Sequence, residues 1–190
     1  MTDAMKVAAL KATARRQYLA RRAARPDFDR NQAERQLFER ARQCDLTVIA
    51  AFVPVAGEPG SLAVLDELSR HARVLLPITR SIGQALEWAV YDGPESLTRG
   101  PMGLRQPARP DGSRLEDAQV VLAPALAIGR DGTRLGHGGG FYDRALAGMP
   151  LDRLCGVVYD DEVADTLPTE DHDVRVGWVC TPTATTRLLR

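Results

Sequence analysis

Leu46-Thr-Val-Ile-Ala-Ala-Phe-Val53 is followed by a turn through Pro54 and Gly57, then by Ser61-Leu-Ala-Val-Leu-Asp-Glu-Leu-Ser-Arg-His71, then by Arg73-Val-Leu-Leu76 and Pro77. The first run is apolar and rich in β-branched residues without polar alternation, as a strand buried on both faces requires. The second carries Leu62, Leu65 and Leu68 at helical spacing. The third is a short apolar strand that Pro77 ends. Strand, helix and strand in succession make the unit from which parallel sheets are built.

Outward from this unit the alternation continues. Downstream, Ala85–Tyr91, Ala118–Leu122, Leu154–Val158 and Val176–Cys180 read as strands, and a helix begins near Phe141. Residues 92–117 hold much of the Gly and Pro and read as loop, as does the stretch from Leu122 through Gly140. Upstream, residues 3–24 and 29–43 read as helices separated at Pro26. Val7, Leu10, Ala14 and Tyr18 form an apolar stripe on the first helix, and Lys11, Arg15 and Arg22 share a neighbouring face. The expected architecture is one domain over residues 1–190, a three-layer α/β/α sandwich with a mostly parallel, Rossmann-like sheet. Ligands of such sheets gather beyond the strand carboxyl ends, which directs attention to the loops after Val53 and Leu122.

Bulk properties narrow the class. A chain of 190 residues is long enough for a full core. No apolar run approaches the roughly 20 residues a membrane helix needs, and the Lys/Arg-rich N-terminus has no apolar segment of a secretory signal. Net charge is zero, although residues 1–43 carry 11 Lys/Arg against 5 Asp/Glu. Overall neutrality argues against nucleic acid as the main partner. Cys44, Cys155 and Cys180 are odd in number with no CxxC spacing; reduced thiols in a cytoplasm fit better than a disulfide framework or a zinc site. A cytoplasmic monomer without membrane association is expected.

The segment richest in chemistry is Arg130-Asp-Gly-Thr-Arg-Leu-Gly-His-Gly-Gly-Gly-Phe-Tyr-Asp-Arg144. Gly136, Gly138, Gly139 and Gly140 free the backbone to turn its N–H groups toward a phosphate. A helix starting just afterwards would add its positive end, Arg134 and Arg144 flank the loop, and Asp143 has the chemistry of a Mg²⁺ ligand. The loop is neither a Walker sequence nor a GxGxxG, and a flexible turn explains its composition equally well.

The same segment, Arg134 to Arg144, resembles the signature loop of the 5-formyltetrahydrofolate cyclo-ligases, also called methenyltetrahydrofolate synthetases. The resemblance extends to Val120-Val-Leu-Ala-Pro-Ala-Leu-Ala127 with Asp131-Gly132, to Leu167-Pro-Thr-Glu-Asp-His-Asp173, and to Leu75-Leu-Pro77 and Gly103-Leu-Arg-Gln-Pro107, nearly the whole chain. It implies ATP-dependent closure of 5-formyltetrahydrofolate to 5,10-methenyltetrahydrofolate with release of ADP and phosphate, and Mg²⁺ as cofactor. ATP is assigned to Lys11 and Arg15 in a K-x-x-x-R spacing and to Arg134, Leu135, Gly136, His137, Gly138, Gly139, Gly140, Phe141 and Tyr142. The folate is assigned to Val53, Glu58, His137, Gly138, Gly139, Gly140 and Phe141. Asp143 and Asp173 match the metal ligands. The family's Ile-Glu-Thr-like continuation after the folate glutamate is replaced here by Pro59-Gly60-Ser61.

Bland readings stand beside these. Lys11 and Arg15 fit a solvated helix face, Glu58 an exposed loop acid, Asp143 a helix N-terminal acid, and Asp173 one acid among several. Arg16, Arg21, Arg25 and the run Asp160-Asp-Glu162 read as surface, and Trp88 as core or cleft wall. Competing functions are another ATP-using α/β enzyme such as a small-molecule kinase, a folate- or nucleotide-binding protein without catalysis, and RNA binding through residues 6–42.

Overall fold

The computed structural model describes residues 2–55, 57–81, 83–101 and 103–188. Two helices open the chain, α1 (Asp3–Ala24) and α2 (Asp27–Arg42). Thr2 caps α1 by accepting from the Met5 N–H at 3.3 Å, and Pro26 breaks the rod before α2. Strand β1 (Val48–Ala50), helix α3 (Leu62–His71) and β2 (Arg73–Ile78) form the strand–helix–strand unit, with the Ser61 hydroxyl capping α3 through Val64 N–H at 3.3 Å. Then follow β3 (Glu87–Val90), β4 (Leu97–Arg99), β5 (Arg105–Pro107), β6 (Val120–Pro124), β7 (Ala127–Gly129), β8 (Arg134–Leu135), α4 (Phe141–Leu146), β9 (Leu154–Val157), β10 (Val163–Ala164), β11 (Trp178–Cys180) and β12 (Thr185–Arg187).

The main sheet has the order β12-β11-β9-β6-β1-β2-β3. Its inner pairs are all parallel, and only the edge pairs β2–β3 and β11–β12 are antiparallel. The mostly parallel α/β sheet is therefore as the sequence suggests. Counted along the parallel core, β1, β2, β6, β9 and β11 lie in the order 2-1-3-4-5, so the winding direction reverses between β1 and β6, where a ligand crevice is expected.

One sheet face is covered by α2 and α3, with Leu37, Ala41, Val64, Leu65 and Leu68 packed on Ile49, Ala51, Val74 and Leu76. The core that contains Leu75, Val121, Leu154 and Val179 is closed by less helix: Leu146 of the six-residue α4, Leu115 of a single 3₁₀ turn, and Val176. Trp88 sits in this core at 5 % exposure. Helix α1 lies instead over a small sheet, β10-β7-β8, with Ala14 and Tyr18 against Leu126, Leu135 and Leu167. No helix among the described residues is long and apolar enough to cross a membrane.

Three sequence readings change. The loop of 92–117 contains the β4–β5 hairpin, short and polar enough to lack an apolar signature, and the loop after β6 contains the β7–β8 hairpin, whose buried β7, Ala-Ile-Gly, continues the apolar run of β6 without a break that would mark a new strand. Strand β12 is Thr-Thr-Arg, exposed on the sheet edge, and has no apolar signature. The apolar stripe of α1 is only half buried: Leu10 is 59 % exposed, whereas Lys11 and Arg22 are 4 % and 3 % exposed. What α1 meets is a cluster of carboxylates and a glycine loop, so its cationic face turns inward.

Candidate active site

The carboxyl ends of β1 and β6 diverge as the strand order requires, and two cavities open there. One, of about 470 Å³, is polar: Lys11, Arg15, Arg134, Arg144, Asp143, Glu170, His172 and Asp173 line it. The other, of about 380 Å³, is largely apolar, walled by Phe52, Val53, Val55, Pro77, Leu86, Leu104 and Phe141 with Glu58 and His137 among them. Arg134, Gly136, Gly138, Gly140 and Asp143 line both. The glycine loop is thus a common wall.

The β7–β8 hairpin carries this wall. Asp131-Gly132 makes its turn; the Asp131 carboxylate accepts from the Thr133 N–H at 3.0 Å and hydroxyl at 2.9 Å, and Gly132 has φ +85°. The hairpin delivers Arg134 at 5 % exposure, its guanidinium donating to Pro124 O at 3.1 Å and to Asp143 Oδ1 at 2.6 Å. Arg134 Nε is buried without a partner. Beyond it Gly138 (φ +100°) and Gly140 (φ +64°) adopt left-handed backbone that L side chains resist. A Cβ at Gly138 would stand 3.3 Å from Arg15 Cζ, and one at Gly140 2.8 Å from Arg144 Nη1. Arg15 Nε donates to Gly136 O at 2.9 Å, tying α1 to the loop. Because α4 has only six residues, the loop's own N–H groups and arginines outweigh any helix dipole.

Lys11 Nζ donates to Asp173 Oδ1 and to Glu170 Oε2, each at 2.7 Å. Asp173 also accepts from the Glu170 N–H at 2.7 Å. Together Lys11 and these bonds hold the Asp173 carboxyl below its usual range against the effect of its burial. The ligand atoms of Glu170, His172 and Asp173 lie within 4.8 Å of one another. Asp143 and Asp173, thirty residues apart in sequence, face one cavity, each already matched by a cation. The chemistry of these donors fits a divalent ion: hard carboxylate oxygens, Asp143 from the first turn of α4 and Asp173 from a loop, beside a cavity suited to phosphates.

The folate assignments fall in the apolar cavity. Glu58 is 8 % exposed, in a tight turn whose Val55 N–H donates to its Oε2 at 3.0 Å. Burial pushes its carboxyl above the usual glutamate range, opposed by that N–H and by Arg22. His137 Nε2 stands 3.6 Å from Glu58 Oε1, and burial, then the charges of Arg22, Arg134 and Arg15, push the imidazole below its ordinary value. The Tyr142 hydroxyl, also at this cavity, is buried without a partner. Of the residues assigned to ATP, His137, Gly139, Phe141 and Tyr142 line only this apolar cavity, while Lys11, Arg15 and Leu135 line only the polar one.

Two surface readings are overturned. Glu162 is 0 % exposed and accepts from Arg22 Nε at 2.8 Å and Nη2 at 2.7 Å, and from the Tyr159 N–H at 2.9 Å. Arg25 stacks on the Tyr159 ring, 3.9 Å from its centroid, and pairs with Asp161. Tyr159 in turn donates to Glu58 O at 3.4 Å. An acidic triplet gives no hint of burial until its arginine partners, some 140 residues earlier, are seen to face inward. The shared face of Lys11, Arg15 and Arg22 was the available signal.

The sequence model of the 5-formyltetrahydrofolate cyclo-ligase family matches residues 7–182. The chain belongs to this family. Among curated relatives, the 5-formyltetrahydrofolate cyclo-ligase of Mycolicibacterium smegmatis is 44% identical over 142 residues, 70% of this chain and 73% of the relative. That of Escherichia coli is 30% identical over 141 residues, 70% and 77% of the two chains. The Aquifex aeolicus 5,10-methenyltetrahydrofolate synthetase structure superposes with a TM-score of 0.81 at 24% identity, over 94% of this chain and 93% of the other. The Mycoplasma pneumoniae synthetase gives 0.68 at 18%. These two structures support the fold. As a cyclo-ligase family member the chain is a ligase, and its glycine loop, Glu58 and paired acids all fall within the matched residues.

Proposed function

We propose that the chain converts 5-formyltetrahydrofolate and ATP into 5,10-methenyltetrahydrofolate, ADP and phosphate, with the triphosphate in the polar cavity and the folate in the apolar one. The observation that carries this reading is the shared wall: Gly136, Gly138 and Gly140 line both cavities, so two substrates would meet across one loop.

A formyl oxygen is a poor leaving group. Receiving the γ-phosphoryl group converts it to a phosphate ester; N10 then forms a bond to the formyl carbon, the carbon–oxygen bond breaks, phosphate departs and the N10 proton is lost. Both reacting atoms of the second step belong to one substrate, so the protein's contribution is alignment. Glu58, at the apolar cavity, accepts from the pterin N–H groups. Arg15, Arg134 and Arg144 neutralise phosphate oxygens, and the loop N–H groups add fixed dipoles where charge builds during transfer. Asp143 and Asp173 would hold Mg²⁺, with Arg134 as the alternative partner of Asp143 and Lys11 that of Asp173. When bound, that ion neutralises phosphate charge. No nucleophilic side chain is required. The apolar walls limit water, which would otherwise intercept the phosphorylated intermediate.

The test is spectroscopic: methenyltetrahydrofolate absorbance on mixing the protein with 5-formyltetrahydrofolate, with and without ATP and Mg²⁺. Product formation that requires all three components is expected. Absence of product under these conditions, with folded protein, would overturn the proposal.

A further inference from the structure

On the α2/α3 side of the sheet lies a hollow of about 360 Å³ that the proposed reaction does not use. It exists because α2 and α3 cover β1 and β2 but leave Leu122, Cys155, Val157 and Cys180 under the end of α2 alone. All three cysteines of the chain line it, Cys44 from the end of α2, Cys155 from β9 and Cys180 from β11. Each is a free thiol.

The three are not equivalent. Cys155 is buried, while Cys44 and Cys180 are half-buried. Cross-strand register places Thr185 opposite Cys180, and Arg40 of α2 donates to the Thr185 hydroxyl, which brings the guanidinium to the Cys180 sulfur. Arg40 Nε is buried there without a hydrogen-bond partner. The neighbouring Cys155 thiol, then Thr185 and Arg40, pull the Cys180 thiol well down against the effect of burial. The proximity of Cys180, with burial, pushes Cys155 up. Asp45 at the rim and Cys44 are the other ionisable groups facing the hollow. Of the two neighbouring thiols Cys180 therefore has the greater thiolate character, in a largely apolar chamber beside Arg40. Thiolate character, partial exposure and a neighbouring arginine are what make a cysteine reactive.

We propose that Cys180 is a modification site for low-molecular-weight disulfides bearing a carboxylate: the hollow receives the apolar body, Arg40 the carboxylate, and the Cys180 sulfur the covalent bond. The Cys180 thiolate attacks one sulfur of the disulfide. A new Cys180 S–S bond forms, the original S–S bond breaks, and the displaced thiolate leaves with the electron pair. The protein thiol is oxidised and the small disulfide reduced, so no further reagent is needed. The hollow also takes Phe52, Pro54, Pro59 and Gly60 from the loop whose Val53, Val55 and Glu58 line the substrate cavity, and Phe52 lines both. An adduct should therefore raise the KM for the folate; this consequence rests on the function proposed above, whereas the thiol chemistry does not.

Dithiobis(nitrobenzoate), an aromatic disulfide with two carboxylates, is the probe, mixed with the full chain in the absence of folate and nucleotide. One rapid equivalent of coloured thiolate is expected, mapped to Cys180 by peptide mass and lost in Cys180→Ser. Arg40→Gln should slow it by roughly tenfold or more, should slow the uncharged probe iodoacetamide less, and should be partly rescued by Arg40→Lys. Rapid labelling of Cys44 with Cys180 untouched would overturn the site, as would a rate indifferent to Arg40 in variants whose unfolding temperature is unchanged. A fully modified protein that still turns over, with an unaltered folate KM, would remove the link to the loop and leave the thiol chemistry standing.

Discussion

Gly138 and Gly140 show how much of the site a reader of residues can reach. Four glycines in five positions mark the loop, but only the structure separates those in left-handed backbone from Gly139, which is not. Gly138→Ala and Gly140→Ala force strained dihedrals and press on Arg15 and Arg144. Each should lower turnover by about a hundredfold, the scale of one lost preorganised donor, with a smaller change in unfolding temperature. Gly139→Ala needs only a shift of the Phe141 ring, whose Cδ2 lies 2.9 Å from the added carbon, and should lose less. Turnover at saturating substrates beside thermal unfolding of the three variants distinguishes a cradle from a structural turn. Glu58 was legible as a position, not as an environment, because its burial comes from distant Tyr159 and Arg22. Its raised carboxyl pKa has two consequences. Both carboxyl oxygens accept from N–H groups only when Glu58 is ionised, so the folate KM should climb on acidification at a higher pH than an ordinary glutamate would give, while the ATP KM stays level. For stability the sign is opposite: the folded state holds this proton more tightly, so the contribution is full below the unfolded pKa and lost as pH rises through the folded one. Glu58→Gln should thus weaken folate binding and remove that acid limb, yet leave urea stability at pH 7 unchanged or higher. A folate KM in the variant that rises on acidification as in the parent would clear Glu58 of the role.

Helix α1 carries the lesson at the scale of elements. Read by hydrophobic periodicity it should bury Val7, Leu10, Ala14 and Tyr18; it buries Lys11 and Arg22 more completely. Periodicity reports a buried face only when the partner surface is apolar, and here the partner is carboxylates and a loop carbonyl. The parallel strands of the main sheet were legible because both faces are covered and their residues are uniformly apolar; β4, β5 and β12 escaped because they are short and carry few apolar residues, and β7 and β8 because β7 runs on from β6 and β8 has only two residues. One helix therefore reaches both cavities, with Lys11 and Arg15 at the polar one and Arg22 behind Glu58. Arg22→Met would leave the fully buried Glu162 without its bidentate partner, an uncompensated charge worth about 3–5 kcal/mol. Urea unfolding at pH 7 should register a loss of that order, and the double variant Arg22→Met, Glu162→Leu should recover most of it. If the single variant unfolds like the parent, the pair is not holding α1 to the molecule. The folate KM should also rise in Arg22→Met more than the ATP KM, since the charge of Arg22 helps to hold the Glu58 carboxyl down against its burial.

For the whole molecule, the strand order decides where the two cavities lie. Winding reverses between β1 and β6, the loops after them part, and the β7–β8 hairpin inserts its glycine loop into the gap. A ligand in either cavity orders that wall, so each should make the wall cheaper for the other to use. Ligands that bind only the folded state stabilise it by about 2.7 kcal/mol at a hundredfold excess over Kd. For 5-formyltetrahydrofolate and a non-hydrolysable ATP analogue acting on independent sites, the two increments would simply add. Across a shared loop the pair should exceed that sum by about 1–3 kcal/mol, the usual range of coupling between sites. Reciprocity supplies the control: the analogue must lower the folate Kd by the same factor by which the folate lowers the analogue's. Thermal unfolding with each ligand and with both, joined to two titrations, measures all four quantities. Strict additivity would make the glycine loop a passive partition, and alignment of the γ-phosphate with the formyl oxygen would then have to come from the cavity walls rather than from the loop between them.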